Sequence, residues 1–238
     1  MASDLHGAKR LNILFIGNSY THTHDMPAIL QKLAQAGGAQ LAFEMRAPGG
    51  WSLEQHYRDK ETLRAIKKGG WTHIVLQDQS QRAAMPIMRV RRQFFRYVRR
   101  FNRYIWWQLA PKPAIVLYLT WGRKDGDADN RDYYPPVGTF EGMTALLAER
   151  YHTIARKIGA EAAPVGPAWA YVRRHHPEIE LYQEDGHHPS PAGSYLAACC
   201  FYRTLFGASP QALDYDFTLH PAVAAKLRAA AGLAAVTF

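Results

Sequence analysis

The sequence predicts a doubly wound α/β fold, with a central parallel sheet of about five strands and helices on both faces. Three observations lead there. Short β-rich apolar runs alternate with segments of helical period five times along the chain, and repeated strand–helix–strand units form parallel sheets. The run from Ala114 to Thr120 is apolar almost throughout, as a strand covered on both faces must be. No linker, repeat or low-complexity tract divides the 238 residues. Residues 1–238 therefore read as one domain, with a core over about 11–206 and a helical extension over about 207–238.

Each element has a local cause. Leu11 to Ile16 is a strand that ends at Gly17, and Pro27 to Ala36 is a helix stopped by Gly37 and Gly38. Leu41 to Met45 is the second strand. Leu53 to Lys68 follows as a helix closed by Gly69 and Gly70, and Trp71 to Leu76 is the third strand. Pro86 to Leu109 is a long basic helix that ends before Pro111. After the fourth strand, Phe140 to Ile158 is a helix and Glu161 to Val165 a weak fifth strand. Ser190 to Phe206 is a helix with Ser190 as N-cap and Pro191 at its first position. Pro221 to Leu233 is a final alanine-rich helix.

Composition excludes several classes. The 47% hydrophobic and 21% charged shares are those of ordinary globular chains, which excludes wholesale disorder and coiled coil. No run of 18 apolar residues is present, so no membrane span is expected. The first ten residues lack the apolar core of a signal peptide, which points to the cytoplasm by default, although a removed leader would leave the same pattern. Cys199 and Cys200 are adjacent, point about 100° apart on a helix and cannot pair without strain. They read as small apolar residues, and a cysteine-stapled scaffold is excluded.

The net charge of +9 is concentrated, since eight arginines and no acid lie between Arg82 and Arg103. Phe94, Val98, Phe101 and Ile105 recur on one helical face, while Arg89, Arg92, Arg96, Arg99 and Arg103 fall on the other. The expected reading is a solvated amphipathic helix, against a nucleic-acid surface.

In doubly wound sheets ligands bind beyond the carboxyl ends of the strands. Gly17-Asn18-Ser19-Tyr20 follows the first strand. Ser19 is there either a turn or cap residue or a nucleophile flanked by backbone N–H groups. Two glycines, Gly49 and Gly50, follow the second strand and form either a plain turn or a close backbone approach to a ligand. Gln77-Asp78-Gln79-Ser80 follows the third, able to donate into the crevice or to satisfy its own loop. Asp185-Gly186-His187-His188-Pro189-Ser190 precedes the last core helix. A carboxylate three residues before a histidine can accept its ring N–H and leave the other nitrogen free to take a proton.

Singly these blocks are weak. In this order, each at a strand end or helix entry, they resemble the SGNH (GDSL-type) hydrolases. That family has a serine block after strand one, a glycine after strand two, G-x-N-D after strand three and D-x-x-H before the last helix. The resemblance covers roughly residues 11–206 and is most specific from Asp185 to Ser190 with Gly193 and Tyr195. It implies a flavodoxin-like three-layer α/β/α fold and a serine hydrolase of carboxylic esters. The implied triad is Ser19, His188 and Asp185, with His188 rather than His187 selected by the spacing. The implied oxyanion donors are the Ser19 and Gly50 N–H groups and the Gln79 side chain. No metal or organic cofactor is implied. The sequence departs from the family at two points. Asn18 stands where the family has aspartate, and Gln79 where it has asparagine, an amide donor on a longer stem.

Aromatic residues near the crevice, Trp51, Trp121, Tyr133 and Tyr134, suit a carbohydrate ring or ordinary packing. Trp121 and Arg123 after the fourth strand, with Trp51, are the expected substrate contacts, Arg123 for a substrate anion. Asp125, Asp127 and Asp129 imitate a calcium loop, but Asn130 and Pro136 occupy its glycine and glutamate positions. His22 and His24 lack further zinc ligands at suitable spacing. The expected function is hydrolysis of short acyl esters, acetyl foremost, on a small molecule or a carbohydrate. An acyltransferase on the same triad is one alternative. A non-catalytic protein that binds an anionic polymer through the arginine-rich helix is the other.

Overall fold

A computed structural model describes residues 9–233. The termini of the expected domain, 1–8 and 234–238, lie outside the described residues. Five strands form one fully parallel sheet: β1 (Arg10–Ile16), β2 (Gln40–Arg46), β3 (His73–Leu76), β4 (Ala114–Leu119) and β5 (Glu161–Pro164), in the order β2-β1-β3-β4-β5. The order reverses between β1 and β3, and their carboxyl ends open the crevice where such sheets bind ligands.

Strand side chains divide between two cores because successive residues point to opposite faces. Ile13, Phe15, Val75, Val116 and Tyr118 enter one core, with α2 (Met26–Ala36), α8 (Val165–His175), α9 (Pro191–Phe206) and α10 (Pro221–Leu233). Leu14, Ile16, Ile74, Leu76, Ile115 and Leu117 enter the other, with α3 (Leu53–Arg58), α4 (Lys60–Lys68), α6 (Arg96–Gln108) and α7 (Phe140–Ile158). The result is the three-layer α/β/α architecture expected from the sequence. Cys199 and Cys200 are buried and unpaired in α9.

Several boundaries differ from expectation. The helix expected over 53–68 breaks at Asp59, which is extended (ψ 121°) and accepts the Thr62 N–H and O–H at 2.8 and 2.7 Å. An aspartate that can cap a helix competes with continuing one. Strand β3 starts at His73, because the Trp71 indole N–H donates to Ala65 and Ile66 carbonyls at the end of α4. Val165 belongs to α8 rather than β5.

The long basic helix starts with α5 (Ile87–Val90) and reaches α6 through a π turn over Arg91–Phe95. The extra residue lets Phe94 and Phe95 both point inward. Phe94, Val98, Phe101 and Ile105 are buried, while Arg89, Arg92, Arg96, Arg99 and Arg103 are exposed.

Candidate active site

The turn after β1 is built by buried amides. Gln77, fully buried at the end of β3, accepts the Asn18 N–H at 2.8 Å and the Thr21 hydroxyl at 3.0 Å through one side-chain oxygen. Its NH₂ donates to Asn18 Oδ1 at 2.9 Å, and Asn18 Oδ1 also caps α1 (Ser19–His22) by accepting the Tyr20 N–H at 3.1 Å. Asn18 Nδ2 donates to the Trp51 carbonyl at 2.8 Å, which ties this turn to the loop after β2. A Cβ at Gly17 would meet Thr21 Oγ1 and Gln77 Oε1, so the packing here admits only glycine.

Below the turn lies His56, with its side chain buried. Its Nε2 is 2.6 Å from the Gly17 carbonyl and its Nδ1 is 3.1 Å from the Thr62 hydroxyl. Burial pulls the ring pKa down to about 4 against the opposing bond from Gly17, so the ring is neutral at pH 7. A neutral ring has one N–H, and the Gly17 carbonyl requires it on Nε2.

The turn brings Ser19 to the site. Ser19 Oγ lies 2.8 Å from His188 Nε2, and His188 Nδ1 lies 2.6 Å from Asp185 Oδ2. The other Asp185 oxygen accepts the backbone N–H groups of His187 and His188, each at 2.9 Å. Burial works to raise the Asp185 pKa. The bonds from His187 N–H, the His188 ring and His188 N–H outweigh it and hold the carboxyl at about 2. A permanent carboxylate at Nδ1 keeps the His188 proton there and leaves the Nε2 lone pair facing the Ser19 hydroxyl.

A cavity of about 340 Å³ opens over this pair, walled by Asn18, Tyr20, Gly49, Gly50, Gln79, Ser80, Arg123 and His187. A larger surface groove, about 750 Å³, runs beside β5 between α7 and α9 and lacks a comparable serine–histidine pair. Gly50 has a positive φ of 71°, a conformation that costs other residues about 1–2 kcal/mol. Gln79 reaches the cavity wall, but its Nε2 donates to Gln81 Oε1 at 2.8 Å and its Oε1 accepts the Gln81 N–H at 3.0 Å. One amide hydrogen is left for another partner.

Asp78 joins the two loops. Buried completely, its Oδ1 accepts the Leu53 N–H at 2.9 Å and the Gln79 N–H at 2.8 Å. Burial raises its pKa to about 6 against the pull of Arg82, whose Nε stands 3.8 Å from Oδ2. Arg82 is held in turn by Glu54 at 3.0 Å.

The expected substrate contacts fare unevenly. Trp121 is fully buried, which corrects the expectation that it meets substrate. Its ring is stacked between Tyr20, 4.7 Å away, and Trp169, 3.8 Å away, and its N–H donates to the His187 carbonyl at 3.1 Å. It is a core residue under the histidine turn. Trp51 is half-buried with its ring 5.0 Å from that of His56, and the cavity wall does not include it. Tyr133 and Tyr134 also stand outside that wall. Arg123 does line it, with its guanidinium 3.3 Å from Asp127 and 3.5 Å from Asp129.

The buried Asp127 accepts from Gln81, Arg123 and Asn130, so its carboxylate is spent on the chain itself. His22 Nδ1 lies 2.6 Å from the Ala47 carbonyl, whereas His24 Nδ1 lies 2.9 Å from Ser194 Oγ. Among the described residues, the one compact set of three Asp, Glu, His or Cys side chains is Asp185, His187 and His188, and there Asp185 and His188 are already joined.

The sequence reading missed His56 and the clamp formed by Gln77. The available signal for Gln77 was a glutamine directly after a buried apolar strand. For His56 there was none, because its partner is 39 residues away.

No family model matches the sequence, and no curated protein matches it. Solved structures do. A DUF4886 family protein from Bacteroides uniformis is similar with a TM-score of 0.80 at 18% identity, over 96% of each chain. A candidate SGNH hydrolase from Slackia heliotrinireducens is similar with a TM-score of 0.65 at 29% identity, over 84% of this chain and 100% of that one. An acetyl xylan esterase is similar with a TM-score of 0.61 at 13% identity, over 82% of this chain and 100% of that one. With a five-stranded parallel sheet and helices on both faces, the chain has the α/β fold of the SGNH hydrolases.

Proposed function

We propose that this protein hydrolyses carboxylic esters of short acyl groups through an acyl-enzyme on Ser19. The observation that carries the proposal is the unbroken chain from Ser19 Oγ to His188 Nε2 at 2.8 Å and from His188 Nδ1 to Asp185 at 2.6 Å. That order of groups is what nucleophilic acyl transfer requires. Ser19 Oγ attacks the ester carbonyl while His188 Nε2 takes its proton. The resulting imidazolium is stabilised by Asp185 and gives the proton to the leaving alcohol. Water then attacks the acyl-serine, with His188 again as base, and the acid leaves.

The oxyanion is met by the N–H groups of Ser19 and Gly50 and by the free amide hydrogen of Gln79. Each such donor is worth on the order of 10²–10³ in kcat. A cavity of about 340 Å³ suits a small acyl group. The acetyl xylan esterase among the structural neighbours supports acetyl groups on a carbohydrate as the substrate class. Arg123 in the cavity wall supplies a polar flank for the alcohol portion.

The test is hydrolysis of p-nitrophenyl acetate, butyrate and octanoate by the wild type beside Ser19→Ala. Serine-dependent turnover that falls with chain length is expected. Wild-type rates in Ser19→Ala would remove the nucleophile, and faster cleavage of octanoate than acetate would overturn the short-acyl specificity.

A further inference from the structure

Away from the catalytic crevice, α6 carries an outward stripe with no role in the chemistry above. Arg96, Arg99, Arg100, Arg103, Trp106 and Trp107 follow one another at intervals of three, one, three, three and one, which places all six on one side of a helix. The opposite side, Tyr97, Val98, Phe101 and Ile105, is buried in the core, so the stripe faces outward along about 16 Å of helix. Trp106 and Trp107 are 61% and 76% exposed. Met88, 57% exposed, stands at the other end of the same long helix.

None of the seven arginines from Arg89 to Arg103 has an acidic partner among the described residues. The nearest acid on the flanking α3, Glu54, is already engaged by Arg58 and Arg82. No aspartate or glutamate occurs in the sequence between Asp78 and Asp125. Arg100 is half-buried and lies over the rings of Tyr57 and Tyr97, 5.4 Å from each, without an acidic partner. Cations beside two large exposed indoles form an amphipathic patch of the kind found at membrane surfaces.

We propose that this stripe docks the protein on an anionic lipid surface. The arginines meet the headgroup phosphates, while Trp106 and Trp107 enter the headgroup–acyl boundary, where amphipathic rings are preferred. The side chains favour a membrane over a nucleic acid. Duplex DNA is contacted mainly by polar and charged side chains, and single strands are tracked by grooves. Here the arginine row lies on an outward helix side and ends in two exposed indoles. A flat headgroup plane can reach all four arginines and both indoles at once. The docking is peripheral, as no helix among the described residues is long and apolar enough to cross a membrane.

The experiment is co-sedimentation with vesicles of phosphatidylcholine alone and of phosphatidylcholine mixed with phosphatidylglycerol. Three proteins are compared: the wild type, a variant with Arg96→Gln, Arg99→Gln, Arg100→Gln and Arg103→Gln, and a variant with Trp106→Ser and Trp107→Ser. Five of the six positions are exposed and Arg100 is half-buried, and circular dichroism together with the esterase assay checks that each variant is folded. Binding of the wild type to the mixed vesicles only, weakened by salt, is expected. The arginine variant will lose binding by about 10²–10³-fold, at about fivefold per basic residue near the leaflet. The tryptophan variant will lose binding without losing the salt dependence. Equal binding to both vesicle types, or none to either, overturns the proposal. Binding to a single-stranded oligothymidylate without vesicle binding would overturn it in favour of a nucleic acid.

Discussion

Mild acid will destabilise this fold through His56. In the folded chain the ring is buried, bonded to the Gly17 carbonyl, and holds its proton only below about pH 4, whereas in the unfolded chain it does so below its ordinary 6.5. Between those values the unfolded state binds more protons, so stability falls as pH falls. From pH 7 to pH 5 the shift corresponds to a loss of about 2 kcal/mol. Asp78 acts in the opposite sense. Its pKa is raised to about 6, so protonation in the folded state returns about 1 kcal/mol over the same range. The two effects are separated by comparing wild type with His56→Asn in urea denaturation at both pH values. At pH 7 the variant will be less stable, having lost a buried donor to Gly17. At pH 5 the gap will narrow by about 2 kcal/mol, because the variant has no imidazole to protonate. A gap that stays constant would refute the assignment of His56 as a buried neutral donor beneath the Ser19 turn.

Other perturbations separate the roles of neighbouring groups. Asp185→Asn keeps an oxygen for the two backbone N–H groups but sets an amide against His188 Nδ1; kcat on an acetate ester will fall by about 10⁴ with the fold retained, and a near-wild-type kcat would contradict the triad. Asp78→Ala leaves the buried Leu53 N–H without an acceptor, at about 1–3 kcal/mol, and frees the part-buried Gln79 N–H, and will lower both the urea midpoint and kcat. Asp78→Asn keeps the acceptor and will lose much less; equal losses in the two variants would show that Asp78 does not hold the loops together. Trp121→Ala will cost about 3–5 kcal/mol of stability, as expected for an aromatic core residue. An unchanged urea midpoint with a raised KM would return Trp121 to the substrate site.

The sheet was legible because its signal is local. Five apolar runs separated by helical periods imply a parallel sheet, and β1, β3 and β4 are nearly uniform in apolar residues because both faces are covered. The buried face of the basic helix was legible for the same reason. Boundaries set by side-chain capping were less so, as at Asp59, where one carboxylate ends a periodic run. Ser19 and His188 are 169 residues apart, and only the resemblance to a known family suggested that they meet. Trp121 was misread because its position after a strand says nothing of the two rings, Tyr20 and Trp169, that close over it. Gln77, His56 and Asp78 act through partners tens of residues away. Their roles depend on burial, which no local pattern encodes.

Covalent trapping reads out which serine attacks an ester. An aryl phosphonate ester mimics the tetrahedral intermediate. Attack by a serine oxygen forms an O–P bond and expels the aryl oxide, leaving a stable phosphonyl group that peptide mass mapping can place. One such group is expected, on Ser19, with no labelling of Ser19→Ala and much slower labelling of His188→Ala. Labelling at a different residue, or ester turnover that survives Ser19→Ala, would contradict Ser19 as the nucleophile.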